Sequence, residues 1–117
     1  MNSPQHTLKK DLTTSQNLAL AALSYTTAIA RRFKLESISI HASVAITETI
    51  TITRDSVNGA NYDVVLAVKA LISQQDFVYR PSGEENFQDG DEIKIQCTNA
   101  NTTGVVYVNV KTSEILQ

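Results

Sequence analysis

The sequence predicts an all-β protein, built as one antiparallel β-sandwich. Apolar and polar residues alternate with a period of two from about Phe33 onward, which is typical of half-buried strands. The alternating runs are short, and residues that favour turns separate them at intervals of roughly ten residues. At 117 residues the chain has room for a single domain with one hydrophobic core.

The clearest strand lies in the segment 46–53. One row of alternating positions holds Ile46, Glu48, Ile50 and Ile52, and the other holds Thr47, Thr49, Thr51 and Thr53. We expect the isoleucines to face the core and the threonines to line the other face. The same alternation predicts further strands, whose apolar positions are Ile38 and Ile40; Val64, Leu66 and Val68; Phe77 and Tyr79; Ile93, Ile95 and Cys97; and Val106, Val108 and Val110.

Turn residues mark the breaks between these runs. Asn58-Gly59 is a strong turn pair, because both residues tolerate positive φ. Pro81-Ser82-Gly83 ends the Phe77 run, since proline cannot donate to a strand ladder. Asp89-Gly90-Asp91 and the polar segment 99–104 precede the last two strands.

The N-terminal third is less regular. Residues 1–14 have few apolar side chains, and we expect an extended arm that is flexible or docked on a partner, with the domain spanning 15–117. Residues 15–33 fit a helix, with Leu18, Ala22 and Tyr25 on one face, but they also fit strands. Thr26 and Thr27 disfavour a helix, so strands are the preferred interpretation.

Composition excludes several classes of function. The net charge of −2 gives no field that would attract nucleic acid or an anionic membrane, and we expect neither as a partner. Residues 1–10 lack the apolar core of a secretory signal, which predicts synthesis in a cytoplasm. The single cysteine, Cys97, cannot form an intrachain disulfide and alternates with isoleucines, so we interpret it as a small core residue.

Nucleophilic catalysis finds no support in the sequence. A serine or cysteine nucleophile needs a histidine base within hydrogen-bond reach. The two histidines are His6, in the predicted arm, and His41, on a strand face shared with Ser37 and Ser39. No serine lies in a G-x-S-x-G turn. We therefore predict a surface histidine at position 41, no catalytic residues and no enzyme.

Metal and cofactor sites are not predicted either. Calcium is the only plausible ion, because segment 55–63 offers carboxylate and carbonyl oxygens, yet no glutamate closes it in EF-hand spacing. Asp and Asn also suit an ordinary hairpin loop, and Glu84, Glu85 and Asp91 fit a solvated loop. An enzyme would require two acidic or histidine side chains to converge in one cleft, from the set His41, Asp55, Asp63, Glu84, Glu85 and Asp91.

The segment 33–63 has a distinctive order of strands and turns, from Phe33-Lys34-Leu35 through Thr47-Glu48-Thr49 to Asn58-Gly59-Ala60. With Asp89-Gly90-Asp91 and the closing Val105-Val106-Tyr107-Val108 run, it resembles small virion proteins of tailed bacteriophages that have a jelly-roll fold. The resemblance covers about residues 25–110. It implies a jelly-roll-like sandwich and a role in the particle: decorating the capsid, joining head to tail or forming part of a fibre.

Two functions follow as expectations. The first is a non-enzymatic virion structural protein, a capsid decoration or head-associated accessory protein that forms homo-oligomers and contacts other virion proteins. The alternative is a free binding module that recognises a glycan or host receptor through its loops. The threonine face of 47–53 fits both a surface that becomes buried in an assembly and one that simply faces water.

Overall fold

The computed structural model describes residues 7–27, 29, 31–81, 85–98 and 103–115. These residues form seven antiparallel strands and a short 3₁₀ turn at Ala60–Tyr62. The strands are β1 Thr7–Asn17, β2 Ser24–Thr26, β3 Phe33–Asp55, β4 Val64–Tyr79, β5 Glu85–Phe87, β6 Glu92–Cys97 and β7 Val105–Ile115. The predicted all-β antiparallel sandwich is confirmed, in the form of a single curled sheet.

Strand β3 organises the sheet because every strand but β1 and β2 pairs with it. Its N-terminal half, 33–42, pairs with β7 along one edge and with β5 and the end of β4 along the other. Its C-terminal half, 46–55, pairs with β6 and with the first part of β4. The sheet therefore has two halves. Layer 1 contains β1, β7 and 33–42, and layer 2 contains β2, β6 and 46–55.

The two layers face each other because β3 doubles back on itself. A straight strand would hold Phe33 and Arg54 about 70 Å apart. Instead, both lie against Phe87: the Phe33 and Phe87 rings stack with centroids 4.6 Å apart, and the Arg54 guanidinium lies 4.7 Å from the Phe87 centroid. The bend falls at irregular pairing between His41 and Ile46, where the opposite strand carries Ser73 at a φ of 51°.

One hydrophobic core fills the space between the layers. Ile38, Ile40, Val108 and Val110 come from layer 1, and layer 2 supplies the isoleucine row of β3 together with Ile93 and Ile95. Ile46, Ile50 and Ile52 are fully buried, as the alternation predicted, and the threonines between them point outward. Burying each such side chain stabilises the fold by about 1.5–3 kcal/mol.

A buried carboxylate fastens the open end of the sandwich. Asp91 is 1% exposed, and its Oδ1 accepts a hydrogen bond from the Val57 amide at 2.8 Å. Its Oδ2 accepts from the Gln88 amide at 2.9 Å and from Arg54 Nη2 at 2.9 Å. Burial raises the pKa of Asp91, but the two amides and the Arg54 guanidinium outweigh it, and the pKa is held below its ordinary value.

The structure corrects the predicted arm of residues 1–14 over residues 7–14. These residues belong to β1, which pairs with β7 from Thr7↔Ile115 to Asn17↔Val105, so the sheet begins well before residue 15. Only Leu12 of this segment packs against the core. Strand β1 is held mainly by backbone hydrogen bonds to β7, which leave little trace in side-chain composition, and by an ion pair between Lys10 Nζ and Glu114 Oε2 at 2.8 Å. Residues 1–6 lie outside the described residues.

Residues 15–33 contain no helix where the structure describes them, as the preferred interpretation predicted. Strand β1 ends at Asn17, a turn follows, and β2 covers only Ser24–Thr26. Leu18 and Leu23 are buried on either side of the turn. The structure also joins runs that alternation separated: 38–40 and 46–53 are both part of β3, and 64–68 and 77–79 are both part of β4.

The Asp91 contacts predict a strong effect of neutralising this side chain. Asp91→Asn leaves Arg54 without its charged partner in a buried setting, so we expect the free energy of unfolding at pH 7 to fall by about 3 kcal/mol. The exposed Asp11→Asn should change it by less than about 0.5 kcal/mol. Urea unfolding followed by circular dichroism measures both.

The same carboxylate predicts how stability depends on pH. The folded-state pKa is lowered, so the contribution of Asp91 is present above the unfolded pKa of about 3.9 and is lost as the pH falls through the folded value. Unfolding between pH 7 and pH 2 should therefore show a smaller acid loss in Asp91→Asn than in the wild type. Equal acid losses in the two proteins would contradict this assignment.

Gly90 and Gly59 form a matched pair for testing the turn beside Asp91. Both have positive φ, 90° and 112°, so alanine is strained at either position. A Cβ at Gly90 would also lie 2.6 Å from Val57 Cγ2, whereas a Cβ at Gly59 meets nothing within 4 Å. We expect Gly59→Ala to cost about 1 kcal/mol and Gly90→Ala clearly more, measured by thermal unfolding. Equal losses would show that the Val57 contact is unimportant.

Candidate assembly surface

Among the candidate active-site residues that the structure describes, His41 lies near the bend of β3, whereas Asp55, Asp63 and Asp91 lie around its C-terminal end, where Asp63 and Asp91 accept hydrogen bonds from the adjacent amides of Ser56 and Val57. His41 is exposed on the outer face of layer 1, and its Nδ1 lies 2.7 Å from Asp76 Oδ1. Asp63 accepts a hydrogen bond from the Ser56 amide at 2.8 Å, which closes the loop between β3 and β4. Asp91, which the sequence analysis placed in a solvated loop, is instead 1% exposed and accepts hydrogen bonds from Arg54 and two backbone amides. These carboxylates hold turns and strands together.

The candidate calcium loop, 55–63, has the geometry of an ordinary turn. The Gly59 amide donates to the Ser56 carbonyl at 3.1 Å, and Asn58 N donates to Ser56 Oγ at 3.1 Å. Within the described residues, no group of three or more His, Cys, Asp or Glu side chains could hold a metal ion. Glu84 lies outside the described residues, as does His6, and the side chain of Glu85 is not described.

Cys97 is half-buried and packs against the core, whereas the sequence predicted a small core residue at this position. Its Sγ accepts a hydrogen bond from the Leu23 amide at 3.3 Å. Burial raises the pKa of the thiol, and the nearby Glu48 carboxylate adds to this effect. A thiol with a raised pKa is a poor nucleophile at neutral pH.

Strand β4 carries an unusual amount of exposed apolar surface. Ile72 is 71% exposed and Val68 is 63% exposed, and Val64, Val65 and Val78 are also exposed. Sequence alternation had placed Val64, Leu66 and Val68 together on a core-facing row. That prediction is wrong for the two valines, because a bulge opposite Ile52 and Thr53 shifts the alternation and β4 lies at the rim of the core.

Two of these valines continue the threonine face of β3. In an antiparallel sheet, residues directly opposite each other point to the same side. Val68 lies opposite Thr51 and Val65 lies opposite Thr53, so the outer face of layer 2 carries a β-branched patch. We call this patch, with Thr49 and Ala70, the Thr–Val face. Its three threonines are half-buried. Each also carries a methyl group, so the surface is less polar than the number of hydroxyl groups alone would indicate.

Strand β4 is also a long free edge. Among the described residues it pairs only with β3, although it spans 16 residues. Proteins commonly protect such edges with charged residues, proline or short strands. The other long edge strand, β1, carries Lys9, Lys10 and Asp11, and the terminal strand β2 has three residues. Strand β4 contains only Lys69 and Asp76 as charged residues and no proline.

None of the described residues forms a helix of the length and hydropathy needed to cross a bilayer.

Comparisons with known proteins match solved structures only. No protein-family model matches the chain, and no curated protein does. The core of Drosophila NLP, whose structure concerns pentamer formation and histone binding, is 12% identical with a TM-score of 0.47, over 88% of this chain and 97% of the other. The virus-like particle protein of the prawn extra small virus, from Macrobrachium rosenbergii, is 13% identical with a TM-score of 0.39, over 100% and 85%. Scores and identities this low carry no inference about function.

Proposed function

We propose that this protein is a non-enzymatic structural component of a bacteriophage virion, a capsid decoration or head-associated accessory protein that acts through symmetric contacts between copies of itself. The observation that carries the proposal is the unprotected edge of β4, together with the Thr–Val face beside it. The sequence resemblance to small phage virion proteins supports the virion as the particle in which these contacts form.

The chemistry of β4 favours a second copy of the same chain as the partner. A free strand edge presents backbone N–H and C=O groups, which another strand can satisfy. Two copies of one strand can pair antiparallel about a two-fold axis, and each then presents the same patch to the other. Pairing of this kind also brings the exposed valines of both copies together, so a single contact covers both the backbone edge and the apolar side chains.

The magnitudes point to weak association in dilute solution. Complete burial of a valine or isoleucine side chain contributes about 1.5–3 kcal/mol. The five exposed valine and isoleucine side chains of β4 are between 45% and 71% exposed, so each has about 1 kcal/mol left to gain. Association costs about 4–15 kcal/mol in lost freedom. The burial free energy summed over two copies approaches that cost. A particle that holds many copies side by side would raise their effective concentration and so favour association.

The proposal predicts a mass that rises with concentration and depends on β4. Light scattering coupled to gel filtration should show oligomers of the wild-type protein between about 10 μM and 1 mM. Val68→Lys should remove them, because it places a charge on the rim of the Thr–Val face. Leu20→Lys is the matched control: Leu20 is 81% exposed but lies in the turn after β1, and its replacement should leave the mass unchanged.

A wild-type protein that stays monomeric over this range, or one whose oligomers survive Val68→Lys, would refute β4 as the assembly surface. The virion role has its own test, because mass spectrometry of purified particles should find the chain in many copies. Its absence from particles would contradict that role whatever the oligomeric state.

A further inference from the structure

The outer face of layer 1 carries a depression of about 250 Å³, and none of the residues that line it lies on β4. Its walls come from neighbouring positions on β1, β7 and β3. Tyr107 lies opposite His41, and one row further along the strands Asn109 lies opposite both Thr13 and Ser39. We propose that this depression binds a neutral, hydroxyl-rich ring, such as one monosaccharide unit of a glycan.

Two aromatic rings give the depression an apolar wall. The Tyr107 and His41 rings stack with centroids 6.4 Å apart and planes 23° apart. Tyr107 is about half-exposed, so much of its ring is open to a ligand. The hydrogen bond from His41 to Asp76 fixes the orientation of the imidazole. A rigid ring costs little entropy on binding, and the C–H groups of a saturated ring pack well on such a face.

Polar groups lie beside this wall. Ser39 and Thr13 supply hydroxyl groups, which can donate or accept hydrogen bonds. Asn109 Oδ1 is buried and has no hydrogen-bond partner within the described part of the chain. A buried acceptor without a hydrogen bond destabilises the folded state. Because Asn109 Oδ1 has no partner, its amide can rotate toward a ligand without breaking a hydrogen bond of that oxygen. The buried position of Oδ1 makes such a rotation necessary, and after it a sugar hydroxyl could donate a hydrogen bond to this oxygen.

The absence of charge in the lining selects neutral ligands. No Lys, Arg, Asp or Glu residue lines this depression. A second depression, of about 280 Å³, is formed by the same strands and lined by Lys9, Lys10, Lys111, Asp11 and Glu36. Anionic ligands would prefer that charged neighbour. The site therefore differs from the loop-mediated recognition expected from sequence, because the sheet face itself supplies the contacts.

The inference does not require assembly through β4, although β4 runs beside the lining residues Ser39 and His41. Assembly would strengthen binding. A single monosaccharide unit on a shallow site binds with a Kd on the order of millimolar. An array of copies on one particle would raise the avidity for a polysaccharide by orders of magnitude without any new contact. A weak site on a repeated subunit can thus be effective on a surface rich in glycans.

A titration followed by ¹H–¹⁵N correlation spectra tests the site. The probes are D-glucose, D-galactose, D-mannose and N-acetyl-D-glucosamine, each raised to about 50 mM, with D-glucuronate as the anionic comparison. At least one neutral sugar should shift the amide signals of Thr14, Ser39 and Asn109 with a Kd on the order of millimolar, while Lys9 and Lys111 in the charged depression stay unmoved.

Tyr107→Ala should weaken this binding about tenfold or more, and His41→Ala provides a second variant of the same wall. Tyr62→Ala is the control, since Tyr62 is also exposed but lies in the 3₁₀ turn after β3. The same spectra report whether each variant is folded. No shifts with any neutral sugar, or shifts that persist unchanged in Tyr107→Ala and His41→Ala, would overturn the inference. Light scattering on the same samples reports assembly separately.

Discussion

The fold depends on the contact that joins the two ends of β3. Phe33 opens that strand and Arg54 nearly closes it, and Phe87 lies against both. Asp91 then binds Arg54 and the backbone amides of Val57 and Gln88. The side chains of Phe33, Arg54, Phe87 and Asp91 thus hold a long strand in a folded-back form. Without these contacts the two layers would separate and expose their hydrophobic faces to water, because β3 is the main connection between the layers.

This arrangement also determines what stays exposed. Strands β3 and β4 bend together from one layer to the other, and β4 follows β3 along its outer edge. The core is closed by β3, β6 and β7, which leaves β4 at the rim with Leu71 as its one buried residue among those described. The free edge and the exposed valines are thus consequences of the folded-back strand. The Tyr107 and His41 rings lie on the outer face of layer 1, where the second half of β4 runs beside β3 and Asp76 is paired with His41.

The sequence predicted the features that depend on local chemistry. The isoleucine row of β3 was predictable because a central strand with one buried face must alternate, and the turn at Gly59 because its positive φ favours glycine. Strand β1 was missed because backbone pairing holds it. The exposure of Val64 and Val68 was missed because a bulge and an edge position override alternation. The role of Asp91 could not be read from sequence, since its main partners are 34 and 37 residues away.

Hydrogen exchange of the β4 amides at low and high protein concentration tests most directly whether this edge is the contact surface. If copies pair through β4, exchange within 64–79 should slow by about tenfold or more between 10 μM and 1 mM, because the free N–H groups gain partners. Exchange within β1, the other long edge, should stay the same. Unchanged exchange in β4, or equal slowing in β1, would contradict an assembly built on this strand.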